Sequence, residues 1–92
     1  MGRMKRPTPL KLAEKLLQIR ERLELSQNGM VRKLGLEDAY ARTAISSFER
    51  GEKEPPLTVL LRYAQIANIC LDVLADDKQS LPQTLPAKKR IH

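Results

Sequence analysis

Few side chains in this 92-residue chain can do covalent chemistry. The only histidine, His92, is the last residue, and Cys70 is the lone cysteine. Neither a Ser-His-Asp nor a Cys-His arrangement is therefore on offer, and the carboxylates mark no cleft that would make the chain an enzyme. The same scarcity leaves no metal-ligand set, and no motif asks for a cofactor. What remains is recognition chemistry. Between Ala41 and Gly51, a helical period gathers Ala41, Ile45 and Phe48 on one side and turns Thr43, Ser46, Ser47 and Arg50 away from it. Arg42 carries the two-pronged donor geometry that suits guanine O6 and N7, a pairing that discriminates by about 1–3 kcal/mol. Thr43 offers a methyl to thymine and a hydroxyl to base or phosphate, while Ser46 and Ser47 are short enough to let a helix lie close in a groove. Arg42, Thr43, Ser46 and Ser47 are thus the candidate base-reading set. Ser26 is a good N-cap, and Gln27 with the backbone donors behind it makes an anion site at a helix start. Ser26 and Gln27 are therefore candidate phosphate contacts, with the basic Lys53 added to the set, and such contacts position without reading sequence.

These side chains need short helices to hold them, and the pattern supplies five. Leu12, Ala13, Leu16, Ile19 and Leu23 recur with helical spacing between Leu10 and Glu24, and Leu10 and Leu17 widen that stripe beyond one core face. A second helix covers about 26–34, with Gly29 inside it and Gly35 as a left-handed stop. The third runs over about 39–50, with Asp38 or a residue just after it as cap and Gly51 as its end. Pro55 and Pro56 open a fourth in its first turn, with Leu57, Leu60, Leu61, Ala64 and Ala67 as its core stripe, Tyr63 at the edge and Asn68 as a left-handed stop. A short fifth covers roughly 71–74, and Cys70 before it reads as a small half-buried filler. No segment alternates as a strand would. The expected architecture is all-α: a flexible basic arm over 1–9, a compact five-helix domain over 10–76, and a flexible tail over 77–92.

Charge and composition bound the rest. The chain is one small domain with a single modest core. With hydrophobic content at 41% and only two tyrosines and one phenylalanine, that core is built from Leu, Ile, Val and Ala. The net charge of +6 resides at the two ends. Arg3, Lys5, Arg6, Lys88, Lys89 and Arg90 account for all of it, so residues 7–87 are formally neutral. The basicity implies polyanion affinity through the arms and says nothing of the folded surface. A single cysteine, no signal-peptide pattern and no apolar run near the roughly 20 residues of a membrane span point to a reduced, cytoplasmic setting.

Taken in order, Leu25-Ser26-Gln27, Lys33-Leu34-Gly35, Phe48-Glu49-Arg50-Gly51 and Pro55, then Ala64, Asn68-Ile69, Leu71 and Leu74, resemble the phage repressor and Cro type of helix-turn-helix domain, the xenobiotic-response-element family of regulators. The likeness covers about 10–76. It implies a lambda-repressor-like five-helix domain whose third helix enters the major groove of an operator, usually as a homodimer through the fourth and fifth helices. Carried over by position, Arg42, Thr43 and Ser47 sit where the family touches base edges. Gln27 matches a residue that grips phosphate and braces the third helix, and Arg50 matches a phosphate contact. Arg20 and Glu49 match a buried ion pair tying the first helix to the third. Two departures stand out. Four extra residues, Glu37 to Tyr40, amount to about 1.1 helical turns and either extend the third helix or loop out. Val31 stands where the family prefers a small alanine.

The resulting expectation is a sequence-specific, double-stranded-DNA-binding transcriptional regulator of bacterial or phage repressor type. One alternative is the antitoxin of a toxin–antitoxin pair, offering Leu81, Leu85 and Ile91 of the C-terminal tail to a protein partner. Another is a protein-interaction module that keeps the fold without specific DNA binding, which the neutral body, the acidic insert and Gly29 all allow. No membrane partner is expected.

Overall fold

Helical spacing becomes five helices in the computed structural model, which describes residues 11–36 and 41–85. They are α1 (Leu12–Arg22), α2 (Gln27–Leu34), α3 (Ala41–Glu49), α4 (Leu57–Ala67) and α5 (Leu71–Ala75), and the described residues contain no strand. The fold is all-α, with one core. Leu16 and Ile19 of α1, Met30 and Leu34 of α2, Ile45 of α3, Tyr63 of α4 and Leu74 of α5 are fully buried in it. The first helix packs on α3, α4 and α5, and α2 bridges α3 and α4. No helix among the described residues is long and apolar enough to cross a membrane. The arm over 1–9, Asp38 as a cap, the Glu37–Tyr40 insertion and the basic residues 88–90 lie outside the described residues.

Four successive helices close on one hydrogen-bond pattern. After α1, Glu24 N–H reaches the Glu21 carbonyl and Leu25 N–H the Arg20 carbonyl. The same pair of bonds follows α2 through Gly35 and Leu36, α3 through Gly51 and Glu52, and α4 through Asn68 and Ile69. This is the Schellman closure, whose pivot must be left-handed. The pivots Glu24, Gly35, Gly51 and Asn68 all have positive φ, between 59° and 76°. Gly35 and Asn68 stop their helices as the sequence suggests. At Gly35 a Cβ would also lie 2.6 Å from Arg62 Nη1, because that guanidinium donates to the Leu34 carbonyl and caps the end of α2.

Four expectations are corrected. The buried face of α4 consists of Val59, Leu60, Tyr63, Ala64 and Ala67, while Leu57 is 67% and Leu61 45% exposed. The sequence reading put Tyr63 at the edge. Its large ring instead goes fully inside, which rotates Leu57 and Leu61 outward. Pro56 is the N-cap of α4 rather than part of its first turn. Cys70 is exposed and caps α5 by backbone position alone. Finally, the tail does not begin at residue 77. Lys11 N–H donates to Asp77 Oδ1 at 3.0 Å, Arg22 donates to the Pro82 carbonyl, and Leu81 and Leu85 pack against the core. Residues 77–85 thus form a strap along α1.

Beneath that strap lies a group that no sequence pattern singles out. Lys15 is 4% exposed, and its ammonium donates to the carbonyls of Val73 at 2.6 Å and Asp76 at 3.0 Å. A cation on the Val73 carbonyl of α5 and on Asp76 just past its end sits at the dipole's negative end.

Candidate functional site

The exposed face of α3 is fixed from behind before it offers anything in front. Ala41, Ile45 and Phe48 are buried, as the helical period requires. Behind them Arg20 of α1 grips Glu49 with a pair of bonds, Nε to Oε2 at 2.7 Å and Nη2 to Oε1 at 3.1 Å. A third Arg20 donor caps the Leu25 carbonyl at 3.0 Å. The side chains are 17% and 5% exposed, so this is a nearly dry ion pair, and losing either partner would cost roughly 3–5 kcal/mol. The hydrogen bond to Glu49 holds the Arg20 guanidinium above its ordinary pKa despite partial burial. Gln27 joins the network, donating through Nε2 to Glu49 Oε1 at 3.3 Å. The start of α2 is thereby clamped to the end of α3.

In front, Gln27, Arg42, Thr43, Ser46 and Arg50 line one shallow, open cleft of about 220 Å³. Arg42, Thr43 and Arg50 are exposed, and Ser46 and Gln27 are half-buried. Ser26 stands beside Gln27 as the N-cap of α2, its Oγ accepting from Gly29 N–H at 2.9 Å. Ser26 itself does not line the cleft; it flanks the residue that does, at a helix end whose leading N–H groups suit an anion.

The expected base-reading and phosphate-contacting sets do not meet in full. Ser47 is a correction: it is only 7% exposed and belongs to the buried side of α3. Its position falls on the Ala44 side of the helix, and the turn after α3 folds over its backbone, with Glu52 N–H bonded to the Ser47 carbonyl at 2.9 Å. Lys53 is exposed but does not line the cleft. Arg50 is present there but already engaged. Its Nε and Nη2 donate to the two carboxylate oxygens of Glu52 at 3.0 and 2.9 Å, and Nη1 donates to Ser46 Oγ. Each partner shifts the other: the hydrogen bond raises the Arg50 pKa and holds the Glu52 carboxyl below its usual range.

Glu52 was missing from the sequence reading. The signal lies in Arg50-Gly51-Glu52, where a left-handed glycine folds residue 52 back towards residue 50. Among the described residues no group of His, Cys, Asp and Glu could hold a metal ion. No family model matches the chain, and neither the curated proteins nor the solved structures supply a match.

Proposed function

We propose that this chain is a sequence-specific double-stranded-DNA-binding protein of helix-turn-helix type, acting as a transcriptional regulator by laying the outer face of α3 in the major groove of an operator. One observation carries the reading. Arg42, Thr43, Ser46 and Arg50 emerge together with Gln27 on a single open cleft, on a helix whose other side is locked by a buried seam and a dry ion pair. A face that is rigid behind and rich in short donors and acceptors in front is what base-edge recognition needs. Arg42 and Thr43 read bases, Ser46 allows close approach, and Gln27 with the N-terminus of α2 takes a phosphate. The neutral folded body fits a protein whose discrimination comes from geometry, leaving sequence-independent attraction to the arms.

A homodimer on a two-fold operator belongs to the same proposal, and Leu57 and Leu61 provide exposed apolar surface on α4 for a second copy. The antitoxin alternative is weakened, because Leu81 and Leu85 already pack against this chain's own core. The test is selection from random duplex DNA at about 0.15 M salt, with specificity and salt slope both read out. An enriched motif is expected. Arg42→Ala should relax it at one or two positions, at about 1–3 kcal/mol of discrimination each. Gln27→Ala should weaken all sites alike. Recovery of no motif, or binding indifferent to Arg42 and Thr43, would overturn the reading.

A further inference from the structure

We propose that Glu52 is an intramolecular stand-in for a DNA phosphate: in the free protein it occupies Arg50, and a backbone phosphate must displace it when the α3 face docks. The inference rests on the DNA-binding reading above and adds to it a residue that sets affinity.

The contact has the form of the one it would give way to. Arg50 meets both oxygens of Glu52 through two near-parallel bonds, at 3.0 Å from Nε and 2.9 Å from Nη2. A guanidinium fork grips phosphate in the same way, with two oxygens across two N–H groups. Glu52 does not line the cleft itself but holds the arginine that does, since Arg50 lines it and reaches Ser46 Oγ with its remaining prong. Backbone geometry delivers Glu52 to that arginine. Gly51 turns left-handed at φ 76°, and Glu52 N–H is bound to the Ser47 carbonyl at 2.9 Å. The side chain therefore starts from a fixed point three residues past the end of α3.

The pair is also free to open. Its side chains are 55% and 57% exposed, so water can replace either partner without unfolding any element. Exposed pairs of this kind are weak and screened by salt, so a phosphate carried on a docked duplex can win the exchange. Of the two arginines on the cleft, Arg50 is then silent until α3 has docked closely enough to bring a phosphate to it. Loose, sequence-independent encounters gain less from such a residue than a fully seated complex does.

The test measures binding of the full chain, Glu52→Ala, Arg50→Gln and the double variant to a random-sequence duplex and to a selected duplex. Fluorescence anisotropy across about 0.05–0.3 M salt reads the affinities and slopes. Melting curves verify that each variant is folded. Glu52→Ala should bind both duplexes about three- to tenfold more tightly near 0.15 M salt, with a slope steeper by about one phosphate contact. In the Arg50→Gln background the same change should bring no gain. No gain from Glu52→Ala in a protein that binds duplex through Arg42 and Thr43 would overturn this proposal and leave the DNA reading intact. A gain that persists without Arg50 would overturn it too, because Glu52 would then act only as a repelling charge. Duplex binding that ignores Arg42, Thr43 and Arg50 altogether would sink both readings together.

Discussion

At the scale of single residues, burial and partnership diverge most at Tyr63. The ring is fully buried, yet its hydroxyl has no hydrogen-bond partner among the described residues. Burial drives its pKa far above the ordinary tyrosine value, with the nearby Glu49 carboxylate adding to the effect. An unsatisfied buried hydroxyl costs about 1–3 kcal/mol. Tyr63→Phe should therefore leave stability unchanged or raise it by about 1 kcal/mol, read as the urea midpoint at constant slope. A loss of that size would mean the hydroxyl has a partner after all. The recognition residues were legible because their positions follow from helix periodicity: Arg42, Thr43 and Ser46 are on the outer side of α3 because Ala41, Ile45 and Phe48 are inside. Ser47 is the exception: the period turns it away from the seam, yet it is buried on the Ala44 side of α3 by tertiary packing, which a period does not report.

At the scale of elements, the chain's stop signals were mostly readable and their quality differs. Gly35, Gly51 and Asn68 are residues suited to a left-handed pivot, so three of the four Schellman closures carry their own signature. The fourth pivot is Glu24, at φ 59°, where a side chain with no special tolerance pays for the conformation. A left-handed L-residue costs roughly 1–2 kcal/mol, and glycine is free of it apart from its greater unfolded-state entropy. Glu24→Gly should raise stability by about 0.5–1 kcal/mol, measured by thermal or urea unfolding, and an outright loss would refute that account of the α1 end. The rotation of α4 was not legible, because Leu57, Leu60 and Leu61 weigh alike in a sequence pattern. Only the depth available for Tyr63 decides which of them go inside.

At the scale of the molecule, the least readable feature is the strap. Residues 77–85 hold two scattered leucines and one proline with no period, which is the pattern of an unstructured end, yet they find contacts created by elements distant in sequence. Lys15 is the hinge pin of that arrangement, joining α1 to the end of α5 just where the strap begins. Lys15→Met keeps the apolar stem but takes the ammonium from the Val73 carbonyl, while the Asp76 carbonyl keeps the Gln79 N–H, so it should cost about 1–3 kcal/mol and open residues 77–85 to limited proteolysis. Wild-type stability in that variant would mean the ammonium is incidental. The strap also touches α1 at both of its ends. Its first contact is Asp77 at Lys11, and its last described residue, Leu85, shares a cavity with Arg22 and Leu23 at the other end of α1. Eleven helical residues, about 16 Å, separate those two points. Detaching the strap would therefore free both ends of α1 at once.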